Sequence, residues 1–331
     1  MVVLLNMQFF KKILNKLNGL HFNQEYLCLT KEYLDQPLFV YIIADKRIIK
    51  DITNHHLFTG YSPLVFTFPF YKEIDLSNHE NINILFSYRE FKPNDVLNAK
   101  DALASITLKK IHEQGLENDR FFYYEGRTAS HRFISSFYQA VIQFQNQLYN
   151  KKPGNVYLPG NLLKQVQVAY SLPRIISLIT VKQNDLFNLF PTDLHGQIDD
   201  EHYIISLRYE GKAANQVEMT QKILITEIDP SFYKTVYSLG KNHMQELKAK
   251  DQFPFSEGFS DLLQLPLPKS AVCYRELELE QRLDHGIHRF FLFKIINKKL
   301  IVDKPDTLAH IHNVYATWRH NKGLPGNYLL R

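Results

Sequence analysis

Asn188, Pro191, Thr192 and His195 fall within one short stretch, NDLFNLFPTDLHG at 184–196, directly behind the apolar run RIISLITV. Amide, hydroxyl and imidazole groups crowded at the end of a run that reads as buried must find hydrogen-bond partners there. Asn188 offers a donor and an acceptor, Thr192 a hydroxyl, and Pro191 a fixed φ that turns neighbouring backbone groups inward. His195, just before Gly196, reaches the same rim. Two occupants fit these groups. One is the backbone of a strand-end turn, which Asn and Thr commonly satisfy; the other is the polar edge of a planar ligand held between β-branched and aromatic walls. A second constellation, SLRYEGKAAN, places Ser206, Arg208, Lys212 and Asn215 within ten residues. A helix starting near Ala213 would aim free backbone N–H groups at an anion, and the two cations suit a phosphate. A surface loop of solvated charges is the plainer alternative. His288 heads the run RFFLFKII, where a neutral imidazole can donate to a carbonyl without adding charge; His285 reads as a turn residue.

Signatures of other chemistries are missing. GxGxxG, GxxxxGK[ST], HExxH and GxSxG do not occur, which speaks against a dinucleotide fingerprint, a P-loop, a zincin and a nucleophile elbow. Histidine pairs stand at His55-His56, His285/His288 and His310/His312. No cysteine or carboxylate joins them at a tight ligand spacing, so no metal is expected.

The elements that must position these groups divide the chain by texture. From about 25 to 92 the runs YLCLT, LFVYIIA, LVFTFPF and INILFSY alternate with breaks and read as strands, with Pro69 at a strand end. PNDVLNAKDALASITLKKIHEQG, 93–115, reads as helix, capped near Asp95 and ended by Gly115. RFFYYEG is a strand, and a helix from about 130 to 149 carries Phe133, Phe137, Val141, Phe144 and Leu148 as a packing stripe. NKKPGN at 150–155 marks a domain boundary. Beyond it RIISLITV, YIISLRY, KILITEI, AVCYRELELE and HRFFLFKII read as strands, interrupted by one long helical stretch at 231–250. Strands so little interrupted by helices point to a barrel or sandwich.

At 331 residues the length suits two domains. With 39 basic and 34 acidic residues spread along the chain, the charge of +5 gives no nucleic-acid tail and no polybasic membrane anchor. Cys28 and Cys273 fit a reducing compartment, and the chain reads as cytoplasmic. The N-terminus lacks a secretory pattern; apolar positions 3, 5, 9, 10, 13, 14 and 17 oppose Lys11, Lys12 and Lys16 as in an amphipathic helix.

In order, LPRIISLITVKQNDLFNLFP, KAANQVEMTQKILITEI, PLPKSAVCYRELELE and GIHRFFLFKII resemble four landmarks of the flavin-reductase-like FMN-binding split barrels, over about residues 156–310. In that family a Pro-opened strand ends in an Asn-x-x-Pro turn followed by a small hydroxyl residue. A segment leading to Asn and then an apolar strand follows, and a Glu-rich strand and a Gly-x-His strand close the barrel. The resemblance implies an α+β chain: a split β-barrel with a C-terminal tail at 151–331, preceded by a separate α+β domain of unknown role at 1–150. It implies FMN as cofactor, held by Asn188, Pro191, Thr192, His195, Ser206, Arg208, Lys212, Asn215 and His288. It also implies NAD(P)H as co-substrate and a homodimer. The activity would be hydride transfer from NAD(P)H to flavin and on to an acceptor, which requires no nucleophile from the protein. Lys212 stands where the family usually has Thr, which favours a barrel that has lost its ligand. A further alternative is a non-catalytic FMN-binding electron-transfer or sensor protein whose N-terminal domain engages a partner. The tail carrying Tyr315, Trp318, Arg319 and Tyr328 reads as docking surface or ligand wall.

Overall fold

The computed structural model describes residues 17, 19–21, 25–29, 38–53, 57–69, 76–97, 100–115, 120–149, 156–303, 305–324 and 328–329. The amphipathic segment up to residue 16, the His55-His56 pair and the 150–155 boundary lie outside the described residues. Among the described residues no helix is long and apolar enough to cross a membrane.

The first strands are β1 (Glu25–Leu29), β2 (Phe39–Ala44), β3 (Arg47–Asp51), β4 (Leu57–Tyr61), β5 (Leu64–Pro69), β6 (Asn81–Ser87), β7 (Ala104–Gly115) and β8 (Arg120–His131). Strands β2 to β8 form one antiparallel sheet in the order β3-β2-β6-β7-β8-β5-β4. The run RFFYYEG shows how this sheet is covered. Successive side chains of a strand point to opposite faces. Phe122 and Tyr124 enter a cluster with two helices, α2 (Leu162–Ala169) behind α1 (Ser136–Tyr149), while Phe121 and Tyr123 meet Ile204, Phe290 and Leu292 from the second half. A sheet buried on both faces needs an unbroken apolar run, not alternation.

Two expectations for this half are corrected. Among the described residues of 93–115 there is no helix; β7 occupies Ala104–Gly115, because Ala104, Ile106 and Leu108 alternate into the core and the strand pairs with both β6 and β8. The helical stripe on α1 is not buried. Phe133 precedes the helix and is buried, but Phe137, Phe144 and Leu148 are 69%, 60% and 54% exposed. The packed face is offset by one residue, with Tyr138 and Ile142 against the core and Asn146 donating to the Leu158 carbonyl.

The second half runs β9 (Arg174–Ile175), β10 (Ser177–Gln183), β11 (Leu186–Thr192), β12 (His195–Gln197), β13 (His202–Arg208), α3 (Lys212–Thr220) and β14 (Lys222–Ile228). After these come α4 (Tyr233–Ser238), β15 (Lys248–Ala249), β16 (Phe255–Phe259), β17 (Pro266–Pro268), β18 (Ala271–His285), β19 (His288–Leu300), β20 (Leu308–His312), α5 (Asn313–Asn321) and β21 (Tyr328–Leu329). The expected long helix at 231–250 is only α4 followed by 3-10 turns, one of them Leu239–Met244, with Gly240 inside it. The main sheet has the order β12-β13-β19-β18-β14-β10-β11-β15. Only Asp193 and Leu194 separate β11 from β12, yet β11 pairs with β10 and β12 with β13. That two-residue joint carries the chain from β11, next to the β15 end of the ladder, to β12 at its other end. Inside, Ile179, Phe190, Ile205 and Phe291 pack on Ala213, Ala214 and Val217 of α3.

The Asn-x-x-Pro turn is also corrected. The turn is Asn184-Asp185, with Asn184 at φ 54°, and Asn188 to Pro191 lie inside β11. Pro191 is tolerated because β15 pairs only with Leu186 and Phe187, and no strand among the described residues pairs with Pro191 on that side.

Candidate functional site

The closing strand positions the first group. Asn188 is fully buried; its Nδ2 donates to Gln216 Oε1 at 2.7 Å and to the Asn242 carbonyl at 3.0 Å, and its Oδ1 accepts from the Leu189 N–H at 2.8 Å. Asn242 returns a bond to the Leu189 carbonyl at 2.8 Å. Asn188 therefore clamps β11 to α3 and to the 239–244 turn. His243 Nε2 donates to the Pro191 carbonyl at 2.6 Å, and Thr192 is buried at the end of the strand. His195 Nε2 donates to the Ile175 carbonyl at 3.0 Å and its Nδ1 accepts from the Tyr203 hydroxyl at 2.7 Å. That assigns the neutral tautomer from its partners, and burial holds the ring at a pKa of about 4.

Ser206, Arg208 and His288 meet where β13 and β19 pair, Arg208 directly opposite His288. The Tyr61 N–H donates to His288 Nε2 at 3.3 Å, so Nδ1 carries the proton toward Ser206 Oγ at 3.1 Å. Burial lowers this imidazole to about 3. Tyr61 also receives a bond from Arg208 Nε at 2.7 Å on its hydroxyl. The β18–β19 turn holds Tyr61 there: Gly286, at φ 60°, lies so close to Ser62 and Pro63 that a side chain has no room, and Ile287 N–H donates to the Ser62 carbonyl. Four residues beyond Arg208, α3 begins after an extended Gly211, which offers its first-turn N–H groups no side-chain cap. Lys212 pairs with Glu246, and Asn215 is exposed one turn on.

A third group was not read from the sequence as a unit. Arg174 is buried; its Nη2 donates to Asp193 Oδ2 at 2.7 Å, and its guanidinium lies 3.4 Å from the Tyr170 ring centroid and 4.9 Å from that of Phe58. His310 Nδ1 also bonds Asp193 Oδ2, at 2.6 Å. Burial alone would raise the Asp193 carboxyl, but the Arg174 charge and the His310 bond outweigh it and hold the group well below the usual carboxylate range. Arg174 Nε and Nη1 and His310 Nε2 are buried without a partner. Tyr61 connects this group to Arg208, since its hydroxyl feels the charges of Arg208, Asp193 and Arg174. His285, by contrast, bonds Glu125 at 2.8 Å. Among the described residues no group of three or more His, Cys, Asp or Glu is placed to hold a metal ion.

The arrangement suits binding rather than nucleophilic chemistry. His195 and His288 are neutral with both ring nitrogens engaged, and the buried Cys273 thiol is pushed up to about 12 by desolvation. What it offers are cations, aromatic walls and donors without acceptors, the fit expected for an anionic, planar cofactor such as FMN.

No protein-family model matches the chain, and no curated protein matches it. Solved structures similar to part of the chain include an FMN-binding protein from Thermus thermophilus with bound p-hydroxybenzaldehyde, at 17% identity and a TM-score of 0.38, covering 42% of this chain and 86% of that one. An NADH:FAD oxidoreductase from Streptomyces globisporus C-1027 aligns at 12% identity and a TM-score of 0.41, over 49% of this chain and 95% of the other. The styrene monooxygenase flavin reductase from Pseudomonas putida S12 aligns at 12% identity and a TM-score of 0.37, over 50% and 97%.

Proposed function

We propose that the chain binds FMN at the barrel end and acts as an oxidoreductase of flavin-reductase type. The observation that carries this reading is the uncapped start of α3 beside Arg208, whose Nε bonds Tyr61 and whose Nη groups have no hydrogen-bond or ion-pair partner among the described residues. Arg208, Lys212 and the first-turn amides would hold the phosphate, with Ser206 and Asn215 flanking them. Arg174 would turn its unpaired N–H groups to an electron-rich edge, and Tyr61 and Tyr170 would supply aromatic wall. His288 and His195 stay neutral and fix Tyr61 and the closing strand, while Asn188, Pro191 and Thr192 hold the rim in place from behind. Bound FMN would supply hydride chemistry, with NAD(P)H as donor and a separate acceptor. Residues 151–331 would form the flavin unit, 1–150 the second unit, and the protein would work as a cytoplasmic homodimer.

The test is reconstitution with FMN followed by exhaustive dialysis. Retained flavin colour that bleaches anaerobically on addition of NADH or NADPH is the expected result; a colourless protein ends the proposal. Retained colour without bleaching would favour a second reading, an FMN-binding electron-transfer or sensor protein with a partner on its N-terminal half. The exposed Phe137, Phe144 and Leu148 on α1 are the observation that favours it.

A further inference from the structure

A cleft of about 960 Å3 opens at the far side of the N-terminal sheet, between the end of β6, the segment around residues 100–103, and α5. In that sheet β7, β8 and β5 separate β6 from β4, which carries Tyr61; four strand steps of about 4.8 Å put the cleft roughly 19 Å from the barrel end. Its floor is aromatic. Trp318 meets Tyr88 edge to face at 5.6 Å between centroids and is backed by Tyr315, stacked at 5.8 Å, and by Phe133 at 6.5 Å. This packing keeps the indole in place. The rim is cationic. Arg89, Lys100, Arg132 and Lys322 line it against the single carboxylate of Asp101. Arg89 reaches Asp101 at 3.7 Å, and no carboxylate among the described residues lies within ion-pair distance of the other three cations. Like charges gathered around a concave wall repel one another and focus a positive potential inside it. A solvated rim explains exposed lysines, but not their convergence over a braced aromatic pair.

We propose that this cleft is a second binding site, for an anion bearing a planar ring, of the nucleoside-phosphate class. The phosphates would meet the cations, and the base would lie against Tyr88 and Trp318.

Trp318 is the only tryptophan of the chain, so its emission reports the cleft directly. Titration of the full chain with ATP should quench that emission saturably, with affinity falling as salt is added. Adenosine alone and tripolyphosphate alone should each bind more weakly. Arg132→Glu and Lys322→Glu should each weaken ATP binding about tenfold or more while leaving the melting temperature near that of the parent. Lys322 is exposed just beyond the end of α5, so its substitution carries the test should Arg132→Glu not fold. No saturable change with ATP, or unchanged affinity in Lys322→Glu, would overturn the proposal. Tripolyphosphate binding as tightly as ATP would overturn the part concerning the ring.

Discussion

The middle of β11 and the joint that follows it use similar side chains in opposite ways. Around Asn188 the side-chain amide closes its bonds within the chain, on Gln216, Asn242 and Leu189. Around Asp193 the acid is satisfied, but its partners Arg174 and His310 keep buried nitrogens with nothing to bond. A buried polar group with all its bonds answered fixes the fold. Donors left over are what a ligand at the proposed site would answer.

Substitutions should separate these roles. The largest effect is expected for Asp193→Ala, which strands Arg174 and His310 in a dry setting and should cost about 3–5 kcal/mol in chemical denaturation; a loss under about 1 kcal/mol would mean that the group is not dry. Lowering the pH should come next. The unfolded chain takes up protons on histidine near pH 6.5, whereas native His195 and His288 resist until about 4 and 3. Their neutral burial therefore stabilises fully above about pH 6.5 and is lost progressively below it, by roughly 1.4 kcal/mol per pH unit for each ring. Asp193, with its lowered carboxyl, keeps its contribution until the unfolded acid protonates below about pH 4. Unfolding free energies that stay level from pH 7 to pH 4 would contradict the assignment of buried neutral rings.

Asn188→Ala should cost about 2–3 kcal/mol by leaving its partners unpaired, yet spare flavin affinity in the folded protein. Lost affinity at undiminished stability would move Asn188 to the ligand side of the comparison. Arg208→Gln should do the reverse, lowering FMN affinity about tenfold while changing stability by less than about 0.5 kcal/mol. An FMN titration of that variant decides the point.

Much of the second half's main sheet was legible because β-branched and aromatic runs such as YIISLRY and KILITEI can hardly be anything but strands. The start of α3, expected near Ala213, lies at Lys212. Residues 104–115 were not, since Lys109, His112 and Glu113 face out with helix-compatible side chains, and the strand is decided by its pairing with β6 and β8. The α1 stripe misled because helical spacing locates an apolar face without saying whether anything covers it. Arg174, Asp193 and His310 are 19 and 117 positions apart along the chain. The pairing of Arg174 with His310 across β9 and β20 brings two of them together. The local hint was an arginine placed directly after Pro173 at the head of an apolar strand.

The two-residue joint between β11 and β12 also sets a length. Because β11 takes its facing from β10 and β12 takes its own from β13, one residue inserted at 193 or 194 would leave His195 and Gln197 in register and instead bulge the joint itself, drawing Asp193 away from Arg174 and His310. The shortness of that joint is thus what keeps the carboxylate seated on its two buried partners.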